Sequence, residues 1–243
     1  MKVSVIIPAA GLGTRMNRRG SAQTSGTSRK QFMQLDKSPI LLHTIRKFVS
    51  SRSVTEIVVA TRQEDIGWVQ ELMAKEKPGK PVRVVEGGGS RQQSVENALA
   101  AVAPDVDLVA VHDAVRPFID EATIEKVIAE AAEGGAAIVG IVPVDTVKQV
   151  QRNRIRTTIP RERLVLAQTP QVFRHSLLRE AFQRAREDHF VGTDEASLVE
   201  RLDRVEVKVV VGSDRNIKIT KPSDMELARL YQAQEAMSRK ASS

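Results

Sequence analysis

Short runs rich in Val and Ile recur along the chain and alternate with longer stretches in which apolar residues return every three or four positions. The first kind reads as buried strands and the second as amphipathic helices. Their alternation predicts an α/β fold, Rossmann-like and doubly wound, with a mostly parallel sheet flanked by helices. The predicted strands are Val3 to Ile7, Glu56 to Thr61, Val82 to Glu86, Leu108 to His112 and Ala136 to Pro143, each but the last followed by a turn signal and a helix. Ser38-Pro39 reads as an N-cap with proline at the first helical position, ahead of an apolar stripe formed by Ile40, Leu41, Thr44, Ile45, Phe48 and Val49. Ser90 precedes a helix with Val95, Ala98, Leu99 and Val102 on its buried side, and Asp120 can cap one that holds Ile124, Val127 and Ile128.

The alternation breaks after Pro143. Thr146 to Gln151 and Arg154 to Ile159 read as two short strands around the polar turn Arg152-Asn153, a β-arm over about residues 143–165. Lys148, Arg152, Arg154, Arg156, Arg161 and Arg163 make it basic, so it is no ordinary core hairpin. A hairpin alone is marginal in water, so this one is expected to pack on a partner subunit or a ligand. Beyond it come a strand around Val165 to Thr169, a helix from His175 to Glu187, a capped helix at Thr193 to Leu202, a strand Val205 to Val211 and a last helix from Pro222. A single domain over residues 1–237 is expected, with a small polar tail, Ser238 to Ser243, that frays. Asn17 to Arg29, in which Ala22 is the one apolar residue, reads as a loop that is mobile when empty.

Composition narrows the partners. The 243 residues carry 37 Lys plus Arg against 30 Asp plus Glu, a formal balance of +7 that favours anions. The basic residues are scattered and aromatics are 3% of the chain, too few for base stacking, so a phosphorylated small molecule fits better than nucleic acid. The absence of cysteine excludes disulfides, thiolate metal sites and a cysteine nucleophile. No apolar run approaches the roughly 18 residues of a membrane span, and the N-terminal run is too short for a secretory segment, so a cytoplasmic location is expected.

The strongest chemical motif follows the first strand: Pro8-Ala9-Ala10-Gly11-Leu12-Gly13-Thr14-Arg15-Met16. In a doubly wound sheet that point lies at the carboxyl end of a strand, where ligands bind. Gly11 and Gly13 allow backbone N–H groups to approach phosphate oxygens. The spacing lacks a third dinucleotide-type glycine and a Gly-Lys-Ser/Thr ending. Instead Arg15 sits two residues past the second glycine and Lys30 lies beyond the loop, a cation pair suited to a triphosphate whose bridging oxygen gains charge during transfer.

His112-Asp113-Ala114-Val115-Arg116-Pro117 follows the fourth predicted strand. Asp113 could hold Mg²⁺ or another divalent cation against phosphates, with Arg116 steadying it or meeting substrate, or the two could simply order a turn. His112 reads as a packed strand-end histidine. Glu86-Gly87-Gly88-Gly89-Ser90 feeds a helix with Ser94 one turn inside, where exposed backbone could read a base edge. Thr193-Asp194-Glu195 reads first as a capped helix start, and Lys218 points into a site or into water.

Taken in order, these strings resemble one family: the 2-C-methyl-D-erythritol 4-phosphate cytidylyltransferases of the non-mevalonate isoprenoid pathway. P-A-A-G-L-G-T-R-M, K-Q-F, G-G-G-S-R-Q-Q-S-V, V-H-D-A-V-R-P-F, P-V-D-T-V-K, Q-T-P-Q-V-F and T-D-E-A-S carry the resemblance, with N-I-K-I-T-K-P-D in gapped form, over about Pro8 to Asp224. It implies transfer of CMP from CTP to the acceptor's phosphate with release of pyrophosphate and no covalent enzyme intermediate. It further implies Arg15 and Lys30 as transition-state cations, cytosine contacts at Ala9, Ala10, Gly88, Gly89 and Ser94, an ion-linked Asp113, and substrate positioning by Arg116, Thr146, Arg161, Thr169, Thr193 and Lys218. Arg161 would act from the arm of a neighbouring subunit, in a homodimer with composite sites. One departure stands out: the family joins R-M to K-Q through a shorter segment ending in proline, whereas Arg29 stands there in this chain. Two rival readings share much of this plan, a cytidylyltransferase for another polyol phosphate such as ribitol 5-phosphate and a non-catalytic nucleotide-binding regulator.

Overall fold

The computed structural model describes residues 1–12 and 29–241. In chain order the first half holds β1 (Val3–Pro8), β2 (Gln34–Leu35), β3 (Ser38–Pro39), α1 (Ile40–Ser50), β4 (Val54–Thr61), α2 (Ile66–Glu76), β5 (Val82–Glu86), α3 (Arg91–Ala100) and β6 (Leu108–Val111). The second half holds α4 (Glu121–Gly134), β7 (Ala136–Ile141), β8 (Val147–Gln151), β9 (Arg154–Ile159), β10 (Leu166–Arg174), α5 (His175–Glu187), α6 (Glu195–Glu200), β11 (Lys208–Val211) and α7 (Pro222–Ala241).

Seven strands form one sheet in the order β11-β7-β10-β6-β1-β4-β5. All neighbours run parallel except β10, which is antiparallel to both β6 and β7. Alternation along the strands sorts the core into two layers. Val5 and Ile7 of β1 face Ile45 and Phe48 of α1 and Val127 of α4, while Ile6 faces Val95 and Leu99 of α3 and Phe182 of α5. A third cluster, with Leu35, Ile40, Val115, Phe118, Ile219 and Met225, seats α7 and the β2–β3 pair against the turn that follows β6.

This order fixes where a ligand can sit. Successive strands after β1 step outward to β4 and β5 on one side, and the chain then crosses to β6 on the other. Such a reversal opens a crevice outside the carboxyl ends of the strands. The segments after β1, β4, β5 and β6 all meet there.

Several local expectations hold because their determinants are local. Ser90 accepts from the Gln93 N–H and Asp120 from the Thr123 N–H, as helix caps. The arm hairpin turns at Arg152 and Asn153, both at positive φ, the conformation a two-residue hairpin turn requires. Others are corrected by tertiary pairing. Ser38 and Pro39 are not a helix start: they pair antiparallel with Gln34 and Leu35, and α1 begins at Ile40 without a side-chain cap. The helix expected from Thr193 begins at Glu195, because Asp194 is the cap and closes a capping box with Ser197. The strand expected to end at Thr169 continues to Arg174, with its pairing to β7 interrupted around Pro170, which has no N–H to give. The strand expected from Val205 starts only at Lys208, and α7 runs on to Ala241, into the stretch expected to fray.

Candidate active site

The first cleft lies over the carboxyl ends of β1, β4, β5 and β6 and encloses about 350 Å³. Its floor is the turn after β1, held open by neighbours on both sides. Ala9 donates its N–H to the Ala60 carbonyl at 2.7 Å, and the Gln31 side-chain amide donates to the carbonyls of Ala9 at 2.6 Å and Gly11 at 3.1 Å. A side chain on Gly11 would meet no described protein atom within 4 Å. Gly87 differs: a Cβ there would stand 2.7 Å from the Ala10 Cβ, so the triple glycine lets the turns after β1 and β5 approach each other. The Ser94 hydroxyl, buried at the cleft wall, accepts the Gly88 N–H at 3.0 Å and donates to the Ser90 carbonyl at 2.7 Å. Ala9, Ala10, Gly11, Gly88, Gly89 and Ser94 therefore gather in one cleft, as their spacing in sequence could not show. Gly13, Arg15 and the rest of the expected loop through residue 28 lie outside the described residues.

Lys30 lines the same cleft from a short 3-10 turn over Lys30–Phe32. Arg29 beside it has another task. Its guanidinium is buried, bonds to Asp65, and donates to Oε1 of Glu64 at 2.8 Å. Phe32 packs on Trp68 with ring centroids 4.8 Å apart. Lys30 is thus set between residues pinned to α2 and its approach on one side and Gln31, pinned to the β1 turn, on the other.

Asp113 sits where the cleft meets a second cavity of about 220 Å³. Three cations surround its carboxylate: Arg91 Nε lies 3.2 Å from Oδ1, and Lys218 Nζ and Arg116 Nε lie 2.8 and 3.4 Å from Oδ2. Burial alone would raise the Asp113 pKa, but Arg91, then Lys218 and Arg116, hold it well below the usual carboxylate range. His112 is a packed histidine. Its Nε2 lies 3.0 Å from the Arg116 carbonyl, which can only accept, so Nε2 carries the proton and Nδ1 accepts from the Thr169 hydroxyl at 3.1 Å. The same hydroxyl oxygen accepts the Asp113 N–H. Burial holds the imidazole at about 4, neutral in the working range.

Thr169, Thr193, Arg116 and Lys218 all line the second cavity together with Arg91 and Asp113. Arg116 is largely committed to the protein, since its Nη1 donates to the Asn216 carbonyl at 2.6 Å and fastens the segment that carries Lys218. Asn216 in turn donates to Gln168 Oε1 and the Thr169 carbonyl, both at 2.9 Å. Thr146 and Arg161, on the arm, are exposed and line neither cavity of their own chain. Arg161 Nη1 donates instead to the Val144 carbonyl at 2.5 Å.

Sequence reasoning passed over four residues here: Gln31, Arg91, Asn216 and Glu195, whose buried carboxylate takes both Nη groups of Arg91 at 2.7 and 3.0 Å. Each motif string contained its residue, but partners so distant in sequence leave no local signal. Among the described residues no group of three or more His, Cys, Asp or Glu side chains is placed to hold a metal ion. Asp113 offers hard oxygen donors at the cleft wall, both now paired with cations, so Mg²⁺, which keeps water and takes its other oxygens from phosphates, would bind there by displacing one of those contacts. No described helix is long and apolar enough to cross a membrane.

Comparison with known proteins agrees with this geometry. A family model described as 2-C-methyl-D-erythritol 4-phosphate cytidylyltransferase matches residues 3–234. A protein of that name from Solibacter usitatus is 66% identical over 240 residues, covering 97% of this chain and 98% of the relative. One from Acidobacterium capsulatum is 50% identical over 241 residues, covering 97% and 99%. Among solved structures, 4-diphosphocytidyl-2C-methyl-D-erythritol synthase from Anaerococcus prevotii superposes with a TM-score of 0.82 at 29% identity, over 95% of this chain and 98% of that one. The 2-C-methyl-D-erythritol 4-phosphate cytidylyltransferase of Thermus thermophilus gives 0.75 at 33% identity, over 95% and 98%. The chain belongs to the 2-C-methyl-D-erythritol 4-phosphate cytidylyltransferase family.

Proposed function

We propose that this enzyme transfers CMP from CTP to 2-C-methyl-D-erythritol 4-phosphate, forming 4-diphosphocytidyl-2-C-methyl-D-erythritol and pyrophosphate. Beyond family membership, one observation carries the reading: the glycine-lined cleft and the second cavity share Arg91, Asp113 and Lys218 as a common wall. A nucleotide in the first and a phosphate ester in the second would bring two anions to the same cation-rich point. An acceptor phosphate oxygen forms the new bond to the α-phosphorus, and the bond from that phosphorus to the bridging oxygen breaks as pyrophosphate leaves. Positioning and charge stabilisation supply the catalysis.

Lys218, which lines both cavities, is assigned to the acceptor phosphate beside the α-phosphate. Lys30, and Arg15 from the glycine motif, are assigned to charge that develops toward the leaving pyrophosphate. Ala10 and the backbone of Gly88 and Gly89 form the wall suited to a cytosine edge, while Thr169, Thr193 and Arg116 shape the acceptor cavity. Asp113 would hold Mg²⁺, which would offset phosphate charge when bound with the nucleotide.

The arm supports a homodimer. Its strands are polar and largely exposed, they pair only with each other among the described strands, and Thr146 and Arg161 reach neither local cavity. We assign these two residues to the partner subunit's acceptor cavity, and the enzyme to the cytoplasm, where CTP is available. A panel of CTP, Mg²⁺ and either 2-C-methyl-D-erythritol 4-phosphate or ribitol 5-phosphate, read by pyrophosphate release, tests the assignment. Turnover of the first acceptor is expected. Turnover of ribitol 5-phosphate alone would overturn it.

A further inference from the structure

Arg91 and Glu195 form a two-pronged ion pair that links the start of α3 to the start of α6. Glu195 is 1% exposed and lines neither cavity, so it touches no ligand in either. Burial pushes its carboxyl up and Arg91 pulls it down, and the fork in which both oxygens accept belongs to the ionised form. Burying such a pair adds little net stability, because desolvation offsets the attraction. Its consequence is geometric. With its outer edge forked on Glu195, Arg91 turns its Nε to Asp113.

The next side chain grips the same segment. Gln92 donates to the Phe190 carbonyl at 3.2 Å and accepts the Gly192 N–H at 2.9 Å. From the sheet side, Gln171 donates to Asp194 at 2.7 Å and accepts the Ala196 N–H at 3.0 Å. Gly192 has no room for a side chain, since a Cβ would stand 2.6 Å from both Ser197 and Leu198. The stretch that carries Thr193 and Asp194 into the acceptor cavity is thereby clasped to the helix that follows the glycine turn of the nucleotide cleft.

We propose that Glu195 is a positioning residue for the transfer: it fixes Arg91 in the wall shared by the two cavities and so ties the acceptor subsite to the nucleotide subsite. This rests on the cytidylyltransfer reading. Removing its charge frees Arg91 to turn toward Asp113 and compete with Lys218, and leaves the segment that carries Thr193 held by Gln92 and Gln171 alone.

The test is Glu195→Gln, with steady-state kinetics for both substrates and direct measurement of CTP binding. We expect KM for 2-C-methyl-D-erythritol 4-phosphate to rise and kcat to fall, each about tenfold, because small misplacements are amplified in the transition state. The Kd for CTP should stay within about twofold, since its cleft is otherwise intact. In an Arg91→Ala background the same substitution should add almost nothing, because the effect runs through Arg91. Losses that add, an equal loss of CTP affinity, or unchanged KM and kcat would each overturn the proposal. Where Glu195→Gln does not fold, Glu195→Asp keeps the charge, shortens the reach and is expected to give the same split, with the same contrary results. Wild-type protein assayed in parallel separates the two ideas: no wild-type turnover rejects the transfer reading, whereas wild-type turnover with an unaffected variant rejects the clasp alone.

Discussion

Lys218 holds its Nζ 2.8 Å from Oδ2 of Asp113, at the edge where the first cleft and the second cavity share a wall. Asp113 is buried and Lys218 is partly open to solvent, so the pair presents a cation to a ligand at that edge. Arg91 and Arg116 complete the ring of positive charge.

Asp113→Asn should therefore destabilise the fold as well as the reaction. It leaves three cations around a neutral amide, and breaking a buried charge cluster typically costs about 3–5 kcal/mol. Thermal unfolding of the variant should fall well below that of the wild type. Unchanged unfolding would mean that the three cations are already satisfied elsewhere.

Arg29 and Lys30 are adjacent but should fail differently. Arg29→Ala leaves Asp65 buried without its partner, so it should lower the unfolding temperature and impair turnover only in proportion. Lys30→Ala should leave unfolding almost unchanged and reduce kcat by about 10²-fold or more, the usual effect of removing one transition-state donor. The opposite pattern would assign the phosphate cation to Arg29.

The two residues also mark what the sequence could and could not show. The K-Q-F string aligned Lys30, yet only the buried contacts of Arg29 with Glu64 and Asp65 explain why a cation can stand at the position of the family's proline. Caps such as Ser90 and Asp120 were legible because a cap is a contact between residues three apart, and the arm was legible because its turn residues and polar strands are local too. Ser38-Pro39 misled because pairing with Gln34 and Leu35 outweighed a local helix signal. The Arg91–Glu195 clasp joins residues separated by 104 positions and has no sequence signature at all.

His112 gives a pH signature. Burial holds its imidazole at about 4 in the folded chain, against an ordinary 6.5, so the unfolded chain binds the extra proton first. The stabilisation is fully present above about pH 6.5 and is lost as pH falls toward about 4, by an amount on the order of 3 kcal/mol. Denaturant unfolding across that window should show wild-type stability falling more steeply than that of His112→Asn, whatever their difference at neutral pH. Parallel curves would mean that His112 is not held neutral.

Arm exchange can be tested by complementation. Arg161→Ala and Lys218→Ala should each be nearly inactive alone. If Arg161 serves the partner's site, heterodimers contain one intact site, and equal mixing with free exchange should restore about a quarter of wild-type activity. No recovery in verified heterodimers would place Arg161 in its own subunit's site or in none.

The central claim is that transfer takes place where Asp113 and Lys218 join the two cavities, and Lys218→Ala tests it most directly. Turnover with CTP and 2-C-methyl-D-erythritol 4-phosphate should fall by about 10²–10³-fold while the Kd for CTP changes by less than about threefold, because the cation is needed in the transition state more than for nucleotide binding. Equal losses of turnover and CTP affinity would contradict the claim and reduce Lys218 to a nucleotide-binding residue.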